Sequence, residues 1–150
     1  MKISIGSDHG GFVLKEALKE HLLSLGHEII DCGCFGTESV DYPAFGFAVA
    51  EAVRDGIADR GIVVCTTGIG MSISANKVRG IRCALCGDLK SAELTRKHNN
   101  SNVLALGAGI IPLSLALEIT DVWLSTEFEG GRHARRIGII TAYEAEKEQA

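Results

Sequence analysis

The sequence predicts an α/β fold: a doubly wound, five-stranded parallel sheet with helices on both faces and a C-terminal helix. Three observations lead there. Short apolar runs alternate with helical patterns along the whole chain. The runs are continuously apolar, as suits strands covered on both faces. Strict strand–helix alternation requires parallel pairing through right-handed crossovers.

Strands are expected at 3–5, 28–31, 61–65, 82–86 and 103–106. Between the first two, residues 12–25 place Leu14, Ala17, Leu18, Leu22 and Leu25 on one stripe, and Gly26 stops the helix. The helix over 43–54 starts with Pro43 and carries Phe47, Ala48, Ala52 and Val53. Further helices are expected over 69–78, 89–98 and 112–124, and a last one from about 129 to 148 with a charged, solvated end. In such sheets the ligand crevice lies beyond the carboxyl ends of the strands, where strand order reverses.

The 150 residues suit one domain, 1–150, large enough for a real core. A net charge of −4 without a basic run argues against nucleic acid as a partner. The opening apolar stretch is short and ends in Asp8, unlike a leader, and no run of about 18 apolar residues predicts a membrane span. Five cysteines, an odd number, point to reduced thiols in a cytoplasmic setting. Cys32/Cys34 and Cys83/Cys86 lack further ligands at finger-like spacing. An i, i+3 pair on a strand also faces opposite ways, so no metal is expected.

The stretch Gly61-Ile62-Val63-Val64-Cys65-Thr66-Thr67-Gly68-Ile69-Gly70 delivers a thiol to a glycine-rich turn that opens a helix. A helix N-terminus leaves N–H groups unpaired and carries partial positive charge, which favours a thiolate and any developing oxyanion. A merely buried strand-end cysteine is the plainer alternative. Nucleotide motifs fail: Ile73 stands where a third glycine belongs, and Gly6 to Phe12 has P-loop spacing without the Lys. Met71 stands where a C-x5-R phosphatase loop has its arginine, and no HExxH pair exists.

Asp8, His9 and Gly10 follow the first strand as Cys65 to Gly68 follow the third, so both should face one crevice. His98 and Asn99 close the fourth helix. Arg132 and Arg136, spaced i, i+4, share a helical face suited to a phosphate or carboxylate. Each also has a structural reading: Asp8 as a helix N-cap, Tyr42 as a turn residue, His98 as a cation on a helix C-terminus, the arginines as a solvated face.

Taken together, Ser7-Asp8-His9-Gly10-Gly11-Phe12, Ser39-Val40-Asp41-Tyr42-Pro43, Cys65 to Gly70, Ala75-Asn76-Lys77, Gly80-Ile81-Arg82, His98 to Leu104 and Glu129 to Arg136 resemble the ribose-5-phosphate isomerase B family. That family also includes allose-6-phosphate and galactose-6-phosphate isomerases. The resemblance implies a Rossmann-like fold, no metal or other cofactor, a sugar-phosphate substrate, and a homodimer or homotetramer with active sites at the dimer interface. It makes Cys65 the base that moves a proton between C1 and C2 through a cis-enediolate, with Thr67 hydrogen bonding in support. It gives His98, with Asp8, the opening of the sugar ring. It makes the N–H groups of Thr66, Thr67, Gly68, Ile69 and Gly70 the enediolate's donors. His9, Arg132 and Arg136 would hold phosphate, and Tyr42 and Asn99 would contact the sugar.

Two positions depart from the family pattern. Thr66 replaces a glycine usual in the turn, where a threonine is less free to adopt φ > 0. Gly109 stands where the family commonly carries a phosphate-reaching arginine. A preference for a hexose 6-phosphate or a free aldose such as allose is therefore an alternative. So are a non-catalytic sugar-phosphate-binding subunit and a cysteine hydrolase using Cys65 with His98. A chain of this length could gather all these groups in one subunit, and the sequence does not say which cross an interface.

Overall fold

The computed structural model describes residues 1–149. The elements run β1 (Lys2–Ser7), α1 (Phe12–Ser24), β2 (Glu28–Asp31), α2 (Pro43–Arg54), β3 (Arg60–Cys65), α3 (Ile69–Asn76), β4 (Cys83–Leu85), α4 (Leu89–Asn99), β5 (Val103–Gly107), α5 (Leu113–Ser125) and α6 (Arg132–Glu148). All five strands pair in parallel, in the order β2-β1-β3-β5-β4. The chain leaves β1 toward β2, then crosses back to β3. The order therefore reverses between β1 and β3, which places a crevice above Ser7 and Cys65.

Side-chain alternation sorts the sheet into two cores. On one face Ile3, Ile5, Ile62, Val64, Leu104 and Leu106 pack against Leu14, Leu18 and Leu22 of α1, Ala92 of α4, and Ala116, Ile119 and Trp123 of α5. On the other, Val63, Cys65, Val103 and Ala105 meet Val49 and Ala50 of α2 and Met71 and Ala75 of α3. Trp123 is fully buried and its indole N–H donates to Ser101 Oγ at 2.8 Å. Trp123→Ala is expected to cost about 3–5 kcal/mol through the cavity it leaves.

Short crossovers are locked by side chains on backbone. Asn76 brackets Cys83, donating to its carbonyl at 2.9 Å and accepting from its N–H at 2.8 Å. The Arg82 guanidinium donates to the carbonyls of Asn99 and Asn100, the otherwise open end of α4. Buried Arg96 donates to Ser101 O and Asn100 Oδ1, and burial, reinforced by nearby Arg60, pulls its pKa down to about 10. These contacts give scaffolding roles to the Asn76, Arg82 and Asn100 segments.

On the far side, Lys15 of α1 is wholly buried and donates to both carboxylate oxygens of Asp31, at 2.7 and 2.9 Å. Burial raises the Asp31 carboxyl, but Lys15, Lys19 and the Gly33 N–H outweigh it and hold the group below its ordinary value. Among the described residues no helix is long and apolar enough to cross a membrane.

Candidate active site

Strand parity decides where the thiol points. Val64 faces α1 and α5, so Cys65 faces α2 and α3. There the Gly68 N–H donates to Cys65 Sγ at 3.1 Å. Gly68 is the N-cap of α3 and has φ 77°. A Cβ on it would stand 2.5 Å from Leu85 Cδ1 and 2.9 Å from the Leu106 carbonyl carbon, so both the conformation and the space require glycine. An amide N–H at a helix N-terminus stabilises a thiolate over a thiol. Thr67 Oγ1 accepts from the Ile69 N–H at 3.2 Å, so its recorded partner is the helix start, not the sulfur. The Gly70 N–H has no partner among the described residues.

The strained glycine lies at 68, not at 66. Among the described residues the only non-glycine with positive φ is Asn100, so Thr66 sits in ordinary backbone and costs the turn no strain.

Around the thiol, three loops converge. Asp8 is buried and its carboxylate accepts from the Gly11 N–H at 3.0 Å, but the N-cap of α1 is Gly11, so Asp8 holds the approach to the helix and is not its cap. His9 Nδ1 accepts from the Val40 N–H at 3.1 Å. That bond places the ring proton on Nε2, as a donor directed away from the protein backbone. The Tyr42 ring lies against Gly70, where a Cβ would meet its Cζ at 2.7 Å. Thr66 touches the loops after both β1 and β5. Its Oγ1 lies 2.1 Å from where a Cβ on Gly10 would stand, and its Cγ2 3.0 Å from where one on Gly109 would stand. The common crevice expected for Asp8, His9 and the Cys65 turn is therefore present.

The remaining residues lie elsewhere. Helix α4 runs back from the carboxyl end of β4, so His98 and Asn99 end beside the start of β5. Register pairs Cys65 with Gly107 at one end of the sheet and Gly61 with Val103 at the other. Those ends are roughly 13 Å apart at about 3.3 Å per residue. His98 stacks on His133, with centroids 4.3 Å apart and planes 15° from parallel. Arg132 and Arg136 are exposed on the first turns of α6 and have no ion pair among the described residues. The sequence reading gave no role to His133 or Glu129. His133 is buried, its Nε2 has no hydrogen-bond partner, and it lies 3.6 Å from Glu129 Oε2. Burial, then His98 and Arg132, hold its pKa below the ordinary histidine value. Their i, i+4 spacing was the available signal.

The ligand atoms of His98, Glu129 and His133 come within 4.8 Å of one another. Imidazole lone pairs lie in the ring planes, and two nearly parallel planes share no nearby point. The stacked pair cannot ligate one ion without turning a ring. A groove of about 430 Å³ between α6 and the β4 edge includes Asn99 but no other predicted site residue.

One chain thus carries two clusters of candidate residues at opposite ends of its sheet. A family model described as ribose/galactose isomerase matches residues 3–140. The chain belongs to this family. Ribose-5-phosphate isomerase B of Escherichia coli is 48% identical over 143 residues, spanning 95% of this chain and 96% of the relative. The structure of Clostridium thermocellum ribose-5-phosphate isomerase B superposes with TM-score 0.95 at 55% identity, covering all of both chains. The Mycoplasma genitalium enzyme, solved with bound ribulose 5-phosphate, gives TM-score 0.92 at 42% identity and 97% coverage of each chain.

Proposed function

We propose that this member of the ribose/galactose isomerase family interconverts ribose 5-phosphate and ribulose 5-phosphate, and that residues 1–150 form a single isomerase domain. The observation that carries the reading is the sulfur of Cys65, held by the Gly68 N–H at the start of α3 and at the strand-order reversal of the sheet. Membership in the family and the likeness to ribose-5-phosphate isomerase B enzymes support the substrate class.

In this mechanism, His98 with Asp8 moves the proton between the ring oxygen and O1 that opens the sugar. Cys65 thiolate then takes the C2 proton, and the electron pair moves through C1 to its carbonyl oxygen. The resulting enediolate oxygens lie against N–H groups of residues 66–70, where negative charge is stabilised as it forms. Cys65 returns the proton to C1 as the O2 hydroxyl proton passes to O1, which leaves the ketose carbonyl at C2. His9, Arg132 and Arg136 hold the phosphate, and Tyr42 and Asn99 contact the sugar. No step calls for a cofactor.

Because the thiol and His98 occupy opposite ends of one sheet, we infer a homodimer in which each site joins the Cys65 half of one chain to the His98 half of another. Exposed Ile69 and Ile73 on α3, and Ile139, Ile140 and Tyr143 on α6, are apolar surface available for that contact. A second pairing of dimers into a tetramer is compatible with it. All five cysteines are free, in keeping with a cytoplasmic location.

The test is initial rates of the purified protein, with chelator present, on ribose 5-phosphate, allose 6-phosphate and the free sugars. Ketose formation with kcat/KM highest for ribose 5-phosphate is expected. Gly109 favours one second reading, a hexose phosphate or free aldose as substrate, and preferential turnover of those would establish it. No turnover of any would leave a binding subunit.

A further inference from the structure

We propose that the Thr66 hydroxyl is a ligand for the substrate's phosphate, in a place that a side chain at position 109 would crowd; this rests on the sugar-phosphate reading of the site. Thr66 is exposed at the carboxyl end of β3, between the loops that follow β1 and β5. Its two γ atoms divide that gap. The hydroxyl is on the Gly10 side, 2.1 Å from the position of a Cβ there, and the methyl is on the Gly109 side, at 3.0 Å.

Gly109 is glycine for space and not for conformation, since its φ is not among the positive ones. A Cβ at 109 would press on Thr66 Cγ2 at 3.0 Å and on Thr66 O at 3.1 Å. The Gly109 N–H donates to that same carbonyl at 2.8 Å, so the two backbones are tied and cannot easily part. The two departures from the family pattern therefore lie in direct contact. A threonine at 66 and a side chain at 109 compete for one volume.

What Thr66 brings in exchange is a donor. Its Oγ1 has no hydrogen-bond partner among the described residues, nor do the N–H groups of His9 and Gly10 at the approach to α1. His9 Nε2–H is open as well, because Nδ1 is taken by Val40. The donors this edge offers an anion are neutral and stand beside the Asp8 carboxylate, whose Oδ1 lies 3.4 Å from the same Gly10 Cβ position, while the full positive charges stand on α6, at Arg132 and Arg136. A hydroxyl donating to a phosphate oxygen makes a charge-assisted hydrogen bond, among the stronger kinds.

The experiment compares wild type, Thr66→Val and Thr66→Ser by calorimetric binding of inorganic phosphate and by steady-state rates on ribose 5-phosphate and free ribose. Valine keeps the methyl and loses the hydroxyl; serine does the reverse. Valine is expected to weaken phosphate binding and raise KM for ribose 5-phosphate about tenfold, more than it lowers kcat, and serine to bind phosphate as wild type does. Free ribose, which carries no phosphate, should register a smaller loss. Unchanged phosphate binding in Thr66→Val, or equal loss in Thr66→Ser, overturns the proposal.

A second comparison tests the shared volume. Gly109→Arg alone should bind phosphate no better than wild type, whereas Gly109→Arg with Thr66→Gly should bind it about tenfold better. Tighter binding by Gly109→Arg alone overturns the steric half. Phosphate binding is read without turnover, so a wild type inactive on every sugar phosphate would defeat the isomerase reading separately.

Discussion

The two ends of the sheet work by different physics. At the carboxyl end, around Cys65, the site is made of backbone: a strand end, a left-handed glycine, N–H groups at a helix start, and small side chains wedged between three loops. At the amino end, around His98, it is made of long charged or aromatic side chains on helices α4 and α6. The first end suits a sulfur and a transient oxyanion, which need fixed dipoles. The second suits a proton donor and a permanent dianion, which need charge. Neither end holds both, so in the homodimer proposed above chemistry and recognition would be separated within a chain and reunited between chains.

The comparison breaks most completely at the thiol. Cys65→Ala should lower kcat by about 10³-fold or more while phosphate binding persists, because the base is gone and the charged end is intact. Turnover near wild type would remove Cys65 from the mechanism.

Mixing two dead proteins sharpens it. Cys65→Ala and His98→Ala are each expected to be inactive. In a mixed dimer one site carries both lesions and the other carries neither. Equilibrating the two in equal amounts should restore about a quarter of wild-type activity, given random two-fold pairing. No recovery, with mixed dimers verified by mass, would mean that one chain builds the whole site.

A smaller effect belongs to the charged end alone. Arg132→Ala or Arg136→Ala should raise KM for ribose 5-phosphate about tenfold each, with less change for free ribose. Equal effects on both sugars would return the pair to a solvated helix face.

The smallest concerns acid. His133 is held below its ordinary value by burial, then by His98 and Arg132, so the unfolded chain binds a proton there first as pH falls below about 6.5. The stability it contributes is present above that pH and is lost as pH falls through it. Urea midpoints at pH 7.5 and 5.5 should therefore lie closer together in His133→Phe than in wild type.

Much of this was legible in the residues. The runs at 28–31 and 43–54 gave β2 and α2 to the residue, because apolar content and an N-terminal proline mark them locally. The strand predicted over 82–86 shortened to Cys83–Leu85, since β4 is an edge strand with one partner and its amino end is held by Asn76 and Asn102 instead. Asp8, His9, Cys65 and Gly68 could be placed in one crevice because each follows a strand. His98 and the arginines could not be placed against them, since helix direction fixes a residue's end of the sheet and only the strand order reveals what faces it. The contact between Thr66 and Gly109 was invisible too, because it depends on β5 pairing directly with β3.

That last pairing has a consequence for how the protein is made. Strand β5 lies between β3 and β4, so β4 has no neighbour until β5 exists. The loop after β5 also completes the socket of the thiol, with the Ala108 and Gly109 N–H groups donating to the carbonyls of Cys65 and Thr66. A chain emerging from the ribosome can assemble α1 and the β1–β3 pairs early, but the reactive cysteine waits, half-housed, until residue 109 has been synthesised. Long-range closure of this kind is slow and leaves apolar surface exposed in the interval. The Cys65 turn is thus among the last parts of the molecule to mature.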